Sequence, residues 1–115
     1  MEITTAAALL TALGNESRLT VFRLLVEAGP EGGYASAIGE ALGMPAATLS
    51  FHLAHLSRAG LITATKEGRF IRYCADYTAM NALIAFLTRD CCKGTGDPGC
   101  AVDSTTSSFH CSESS

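Results

Sequence analysis

Ala35-Ser36-Ala37-Ile38-Gly39-Glu40-Ala41-Leu42, then Gly43-Met44-Pro45, then Ala46-Ala47-Thr48-Leu49-Ser50-Phe51-His52-Leu53-Ala54-His55-Leu56-Ser57-Arg58-Ala59 is the stretch on which the fold turns. Its first part places Ile38, Ala41 and Leu42 on one side of a short helix. Gly43 can take the left-handed conformation that ends a helix. Pro45 suits the first turn of the next one, where a missing N–H costs little. That second helix, over about Ala46–Ala59, spaces Leu49, Leu53 and Leu56 at i, i+4 and i+7, the period of a buried helical stripe. Its other side offers Thr48, Ser50, His52, His55 and Arg58. Two helices joined by a glycine turn, the second with a hydrogen-bonding outer face, predict a helix-turn-helix.

Downstream, Gly60 closes the helix and Leu61–Thr65 reads as a strand. Lys66-Glu67-Gly68-Arg69 reads as a turn, and Phe70–Cys74 returns as the second strand of a hairpin. Asp76 can cap a last helix, Tyr77 to about Arg89, with Met80, Leu83, Ile84 and Leu87 on one face. Upstream, Asn15 caps a helix running to about Ala28, in which Leu19, Val21, Phe22, Leu25 and Val26 form a core face. Gly29-Pro30-Glu31-Gly32-Gly33 is a loop, and Ala6–Leu13 is a short apolar helix that needs another surface to cover it. The expected fold is mainly α with a small β-hairpin, a winged helix-turn-helix, dimeric. Residues 1–90 are expected to form this winged helix-turn-helix DNA-binding and dimerisation domain. Residues 91–115, with Gly94–Gly99 and a Ser/Thr-rich end, are expected to form a cysteine-containing, inducer-binding tail, flexible toward its end.

A chain of 115 residues, 48% hydrophobic, has room for one small domain. No run of apolar residues is long enough to span a membrane, and Met1-Glu2-Ile3-Thr4 has no basic leader. With five cysteines and no secretory signal, a reducing, cytoplasmic setting is expected. The net charge of −3 hides an asymmetry: residues 1–45 carry −3, residues 46–73 carry +3 and residues 74–115 carry −3. A leucine-striped helix with a polar outer face is by itself an ordinary surface helix. Joined to the Gly43 turn, the charge reversal and the basic hairpin, it points to double-stranded DNA. Thr48, Ser50, His52 and His55 are candidates for base edges, and Arg58, Lys66, Arg69 and Arg72 for phosphates. His52 and His55 could instead form a metal pair at i, i+3, but no nearby Cys or carboxylate completes that site. No phosphate cradle, C-x-x-C helix start or Ser/His/Asp arrangement is present, so no enzyme is expected.

Four segments in order, Leu13-Gly14-Asn15-Glu16-Ser17-Arg18-Leu19, Leu49-Ser50-Phe51-His52-Leu53, Arg58-Ala59-Gly60-Leu61-Ile62 and Glu67-Gly68-Arg69 with Tyr73, resemble the ArsR/SmtB family of metal-responsive repressors over roughly residues 6–90. The resemblance implies a homodimer, joined through its first and last helices, that binds a palindromic operator and releases it when an inducer binds.

The cysteines bear on which inducer. Family sensors commonly place thiolates at the start of the first helix of the helix-turn-helix, but Tyr34–Leu42 has no cysteine. Another family site uses carboxylates and histidines on the last helix, but Asp76–Asp90 has no histidine. There remain Cys91-Cys92, Cys100 and Cys111. Trivalent arsenic prefers three soft thiolates in a pyramid, and the glycines of residues 94–99 let a third thiol fold back on a vicinal pair. The chain resembles the arsenic-responsive subgroup, which implies Cys91, Cys92 and Cys100 as As(III) ligands, with Cys111 a competitor for the third place. Sb(III) shares these preferences, and methylarsenite needs only two thiolates. Unliganded tail thiols, a redox disulfide, and zinc or cadmium held by the same cysteines with His110 or Cys111 remain open. Cys74, in the hairpin, is expected to be a packed thiol.

Overall fold

The computed structural model describes residues 1–90. The element order is α1 (Ile3–Leu13), α2 (Glu16–Ala28), a 3₁₀ turn (Gly29–Glu31), β1 (Gly33–Tyr34), α3 (Ala35–Leu42), α4 (Ala46–Ala59), β2 (Ile62–Glu67), β3 (Phe70–Ala75) and α5 (Tyr77–Thr88). This is the expected mainly helical winged helix-turn-helix, with a three-stranded antiparallel sheet in the order β1-β3-β2.

Met1–Leu83 form one compact unit. Its core is built by the stripes that the spacing selects: Ala6, Leu9 and Ala12 of α1, Val21, Phe22 and Leu25 of α2, Ile38 of α3, and Leu49, Leu53 and Leu56 of α4. Leu61, Ile62, Ala75 and Leu83 complete it. Each fully buried Leu contributes about 1.5–3 kcal/mol of transfer free energy. Leu19, expected in the core face of α2, is instead 43% exposed. It lies on the solvent side of α2, while Val21, Phe22 and Leu25 face inward.

The helix ends follow side-chain chemistry. The Asn15 Oδ1 accepts from the Arg18 N–H at 3.0 Å, and the Asp76 Oδ1 accepts from the Ala79 N–H at 3.0 Å. Gly43 ends α3 in the left-handed region at φ 64°, as the glycine turn requires. The Tyr77 hydroxyl donates to the Val26 carbonyl at 3.1 Å and ties the start of α5 to α2.

Two features differ from expectation. β2 reaches Glu67, so only Gly68 and Arg69 remain to make a two-residue hairpin turn. The loop before α3 also contains β1, which pairs Gly33 with Tyr73 and Tyr34 with Arg72. Gly32 makes that approach possible: it has φ 59°, and a Cβ there would run into the Tyr73 carbonyl and the Cys74 Sγ. Cys74 is half-buried and its Sγ lies 3.3 Å from the Pro30 carbonyl, so it packs against this loop.

The described residues from Ile84 onward belong to a separate unit. Its described part ends α5, with the Thr88 hydroxyl donating to the Ile84 carbonyl at 2.9 Å and the Arg89 guanidinium 5.2 Å from the Phe86 ring. Ile84 and Leu87 are exposed. Among the described residues, no helix is long and apolar enough to cross a membrane.

Candidate nucleic-acid interface

α4 is fixed from below by Leu49, Leu53 and Leu56, all at most 2% exposed. That anchoring decides which side chains face solvent. Thr48, Ser50 and Arg58 are exposed, and His55 is half-buried. His52 is not on this face. It is 7% exposed, one residue before Leu53 at the edge of the leucine stripe, and its Nδ1 has no hydrogen-bond partner among the described residues. The expectation that His52 meets base edges is therefore corrected, since its ring is part of the core margin. His52 and His55 gather no third metal-ligating side chain among the described residues.

The outward stripe is Ala47, Phe51, Ala54 and Arg58, at i, i+4, i+7 and i+11 and all exposed. A polar reading of α4 passes over Phe51, which is 60% exposed. The same periodicity that buries the leucines marks it, because it sits on the opposite side of the helix. Its ring meets His52 edge-on at 5.7 Å between centroids and His55 at 6.4 Å. Burial is the main cause that lowers the His55 pKa, followed by the charges of Arg18, Arg58 and His52. His55 is thus a neutral donor-acceptor near neutral pH rather than a cation.

In the hairpin, strand alternation places Tyr34, Thr65, Glu67, Phe70 and Arg72 on one face of the sheet. There the Tyr34 hydroxyl donates to Glu67 Oε1 at 2.6 Å, and Arg72 Nε donates to Glu67 Oε2 at 2.7 Å. Arg72 Nη1 also donates to the Glu31 carbonyl at 3.3 Å. Arg72, expected to take a phosphate, is therefore committed to a carboxylate and to the loop before α3. The Tyr34 hydrogen bond, and next that of Arg72, hold the Glu67 carboxyl below the usual carboxylate range. Lys66 and Arg69 are exposed at the tip, beside exposed Phe70 and Ile71. Tyr34 packs edge-on against Phe70 at 5.9 Å. Between Glu40 and Glu67 the chain has no acidic residue, so the reading helix presents no carboxylate of its own to a polyanion.

A family model described as a helix-turn-helix domain matches residues 13–64, which span α2, α3, α4 and the start of β2. The chain is 34% identical over 87 residues to the HTH-type transcriptional regulator YgaV of Escherichia coli, covering 76% of this chain and 86% of that protein. It is 34% identical over 88 residues to the transcriptional activator HlyU of Vibrio cholerae, covering 76% and 79%. Among solved structures, an ArsR-like transcriptional regulator from Rhodococcus superposes with a TM-score of 0.67 at 29% identity, covering 75% of this chain and 78% of that one. The chain belongs to the ArsR family of winged helix-turn-helix transcriptional regulators. A homodimeric member from Mycobacterium bovis, described as a possible ArsR-family regulator, matches at 28% identity with a TM-score of 0.61, covering 76% and 82%. Like its ArsR-family relatives, the chain is a transcriptional regulator and not an enzyme, and DNA is the ligand of its helix-turn-helix. Cys91, Cys92, Cys100, His110 and Cys111 lie outside the described residues.

Proposed function

We propose that this ArsR-family regulator is an As(III)-responsive repressor. It binds operator DNA as a homodimer and lets go when trivalent arsenic is held by Cys91, Cys92 and Cys100. The observation that carries the inducer is the cysteine pattern itself: a vicinal pair directly after the last helix and a third thiol beyond a glycine-rich stretch. Three thiols displace the three hydroxyls of arsenous acid as water, with no change of oxidation state. Soft thiolates favour arsenic over hard cations.

Support for the homodimer comes from large apolar side chains left exposed among the described residues. Ile3 and Leu10 of α1 are 72% and 44% exposed, and Ile84 and Leu87 near the end of α5 are 53% and 55% exposed. Patches of this kind mark association surfaces. A two-fold dimer places two copies of α4 about one helical turn of DNA apart, and Thr48, Ser50, His55 and Arg58 then face the groove. Lys66 and Arg69 supply charge to the flanking backbone. For release, arsenic must bind the free form more tightly; couplings of this sort are typically about 1–3 kcal/mol.

The test is fluorescence anisotropy of a labelled duplex from the region upstream of the protein's own gene, with the full chain under reducing conditions. Arsenite, antimonite, methylarsenite, zinc and cadmium are titrated in turn. Release by arsenite near stoichiometric amounts, and not by zinc, is the expected result. Release by zinc, cadmium or peroxide alone moves the same cysteines to metal or thiol-oxidation sensing. A duplex that never binds in a salt-dependent way overturns the reading as a whole.

A further inference from the structure

α4 contains one side chain that neither folding nor charge explains. Phe51 is 60% exposed at the middle of the helix's outward stripe, where an aromatic ring gains nothing from water. It is not a loose residue, because the rings of His52 and His55 meet it edge-on at 5.7 and 6.4 Å. Its neighbours along the stripe are Ala47 and Ala54, which are small and apolar, and Arg58 closes the row with a positive charge. This face therefore suits a surface that is apolar in one patch and anionic at its border. The floor of the DNA major groove has one apolar group, the 5-methyl of thymine, set between phosphate backbones.

We infer that Phe51 reads a pyrimidine 5-methyl group in each half-site, which makes it a specificity-determining residue of α4. The inference rests on the DNA reading of α4 given above and names what that helix recognises. The small side chains of Ala47 and Ala54 let the ring approach the groove floor, and Arg58 anchors the nearby backbone. Ser50 and Thr48, exposed on either side of the stripe, take hydrogen-bonding edges of adjacent bases. Discrimination at the base pair facing Phe51 then comes from an apolar contact and not from a donor–acceptor match. Replacing its thymine by uracil leaves every hydrogen bond of the pair intact and removes only the methyl.

The experiment begins with duplexes selected by the full-length chain from a random-sequence pool. Each thymine of the selected duplex is then replaced by uracil, symmetrically in both half-sites, and affinity is read by anisotropy at fixed salt. One position per half-site is expected to respond, by about fourfold for each buried methyl group. At that position a C·G pair weakens binding, and 5-methylcytosine in its place recovers part of the loss. Phe51→Ala binds the thymine and uracil duplexes equally, whereas Phe51→Leu keeps part of the difference. Both variants should melt with the parent, because the side chain lies outside the core, and melting and gel-filtration size are measured alongside. Methyl-independent binding at every position overturns the inference and leaves the DNA reading standing. A Phe51→Ala protein that discriminates as the parent does, or that changes its oligomeric state, also overturns it. If no duplex is enriched, both the inference and the DNA reading fall.

Discussion

Arg72 gives two nitrogens to one oxygen of Glu67, Nε at 2.7 Å and Nη2 at 2.6 Å. The pair removes one positive charge from the hairpin that sequence alone credits to DNA. The exposed cations left in that hairpin are Lys66 and Arg69. Salt dependence separates the two roles. Lys66→Ala or Arg69→Ala should flatten the slope of log affinity against log salt by about 0.9 for each phosphate that is no longer neutralised. Arg72→Ala should leave that slope unchanged and lower the urea midpoint. Anisotropy across a salt series, with urea melts beside it, checks both.

The Glu67 carboxyl is held below its ordinary range, chiefly by the Tyr34 hydroxyl and then by Arg72. A carboxylate depressed in the folded state stabilises the fold above its unfolded pKa, and that contribution is lost as pH falls through the folded value. Glu67→Gln should therefore be less stable than the parent at pH 7. The gap should narrow as pH drops below the ordinary carboxylate range. Tyr34→Phe should show a smaller gap with the same pH trend. Urea midpoints between pH 7 and pH 3 read the effect, and a gap that widens toward acid would contradict the assignment.

If Cys91 and Cys92 are sensor ligands, Cys91→Ser and Cys92→Ser should each bind the operator duplex with parental affinity and fail to release it at arsenite concentrations that empty the parent. Cys100→Ser should abolish the response to arsenite and spare the response to methylarsenite, which needs two thiolates. Cys74→Ser should respond like the parent, since its Sγ packs against the Pro30 carbonyl. Anisotropy with each inducer tells these apart.

Two glycines with positive φ should respond very differently to alanine. At Gly43 a Cβ meets nothing within 4 Å, so Gly43→Ala should cost only the left-handed backbone, about 1–2 kcal/mol. At Gly32 the same change also drives a methyl into the Tyr73 carbonyl. Gly32→Ala should cost more than Gly43→Ala, by about 2 kcal/mol or above, and should loosen the pairing of β1 with β3. Chemical denaturation and amide exchange at Tyr73 report the two effects.

Gly43 and Gly32 also mark the limit of what the sequence discloses. The helix-turn-helix is legible because its signals are local: a glycine at a turn, Leu49, Leu53 and Leu56 at helical spacing, and Asn15 and Asp76 as caps. β1 is not legible, because two residues carry no periodicity and the partner strand lies far along the chain. The engagement of Arg72 depends on the hairpin register, which the wider turn expected over residues 66–69 conceals. His52 is misplaced by sequence because a polar residue beside a leucine stripe reads as outward, although one helical step keeps it at the core edge. Phe51 is visible in the helical pattern, but polarity alone is a poor mark of a DNA face and passes it over.

The placement of β3 in the middle of the sheet has a mechanical consequence. A hairpin hinged at its base can swing, but the return strand of this one pairs with β2 along its length and, at Arg72 and Tyr73, with the β1 segment that leads directly into α3. Bending it would tear backbone hydrogen bonds and drag the first helix of the reading motif with it. Wing and helix-turn-helix are thus joined by backbone hydrogen bonds as well as by the chain itself.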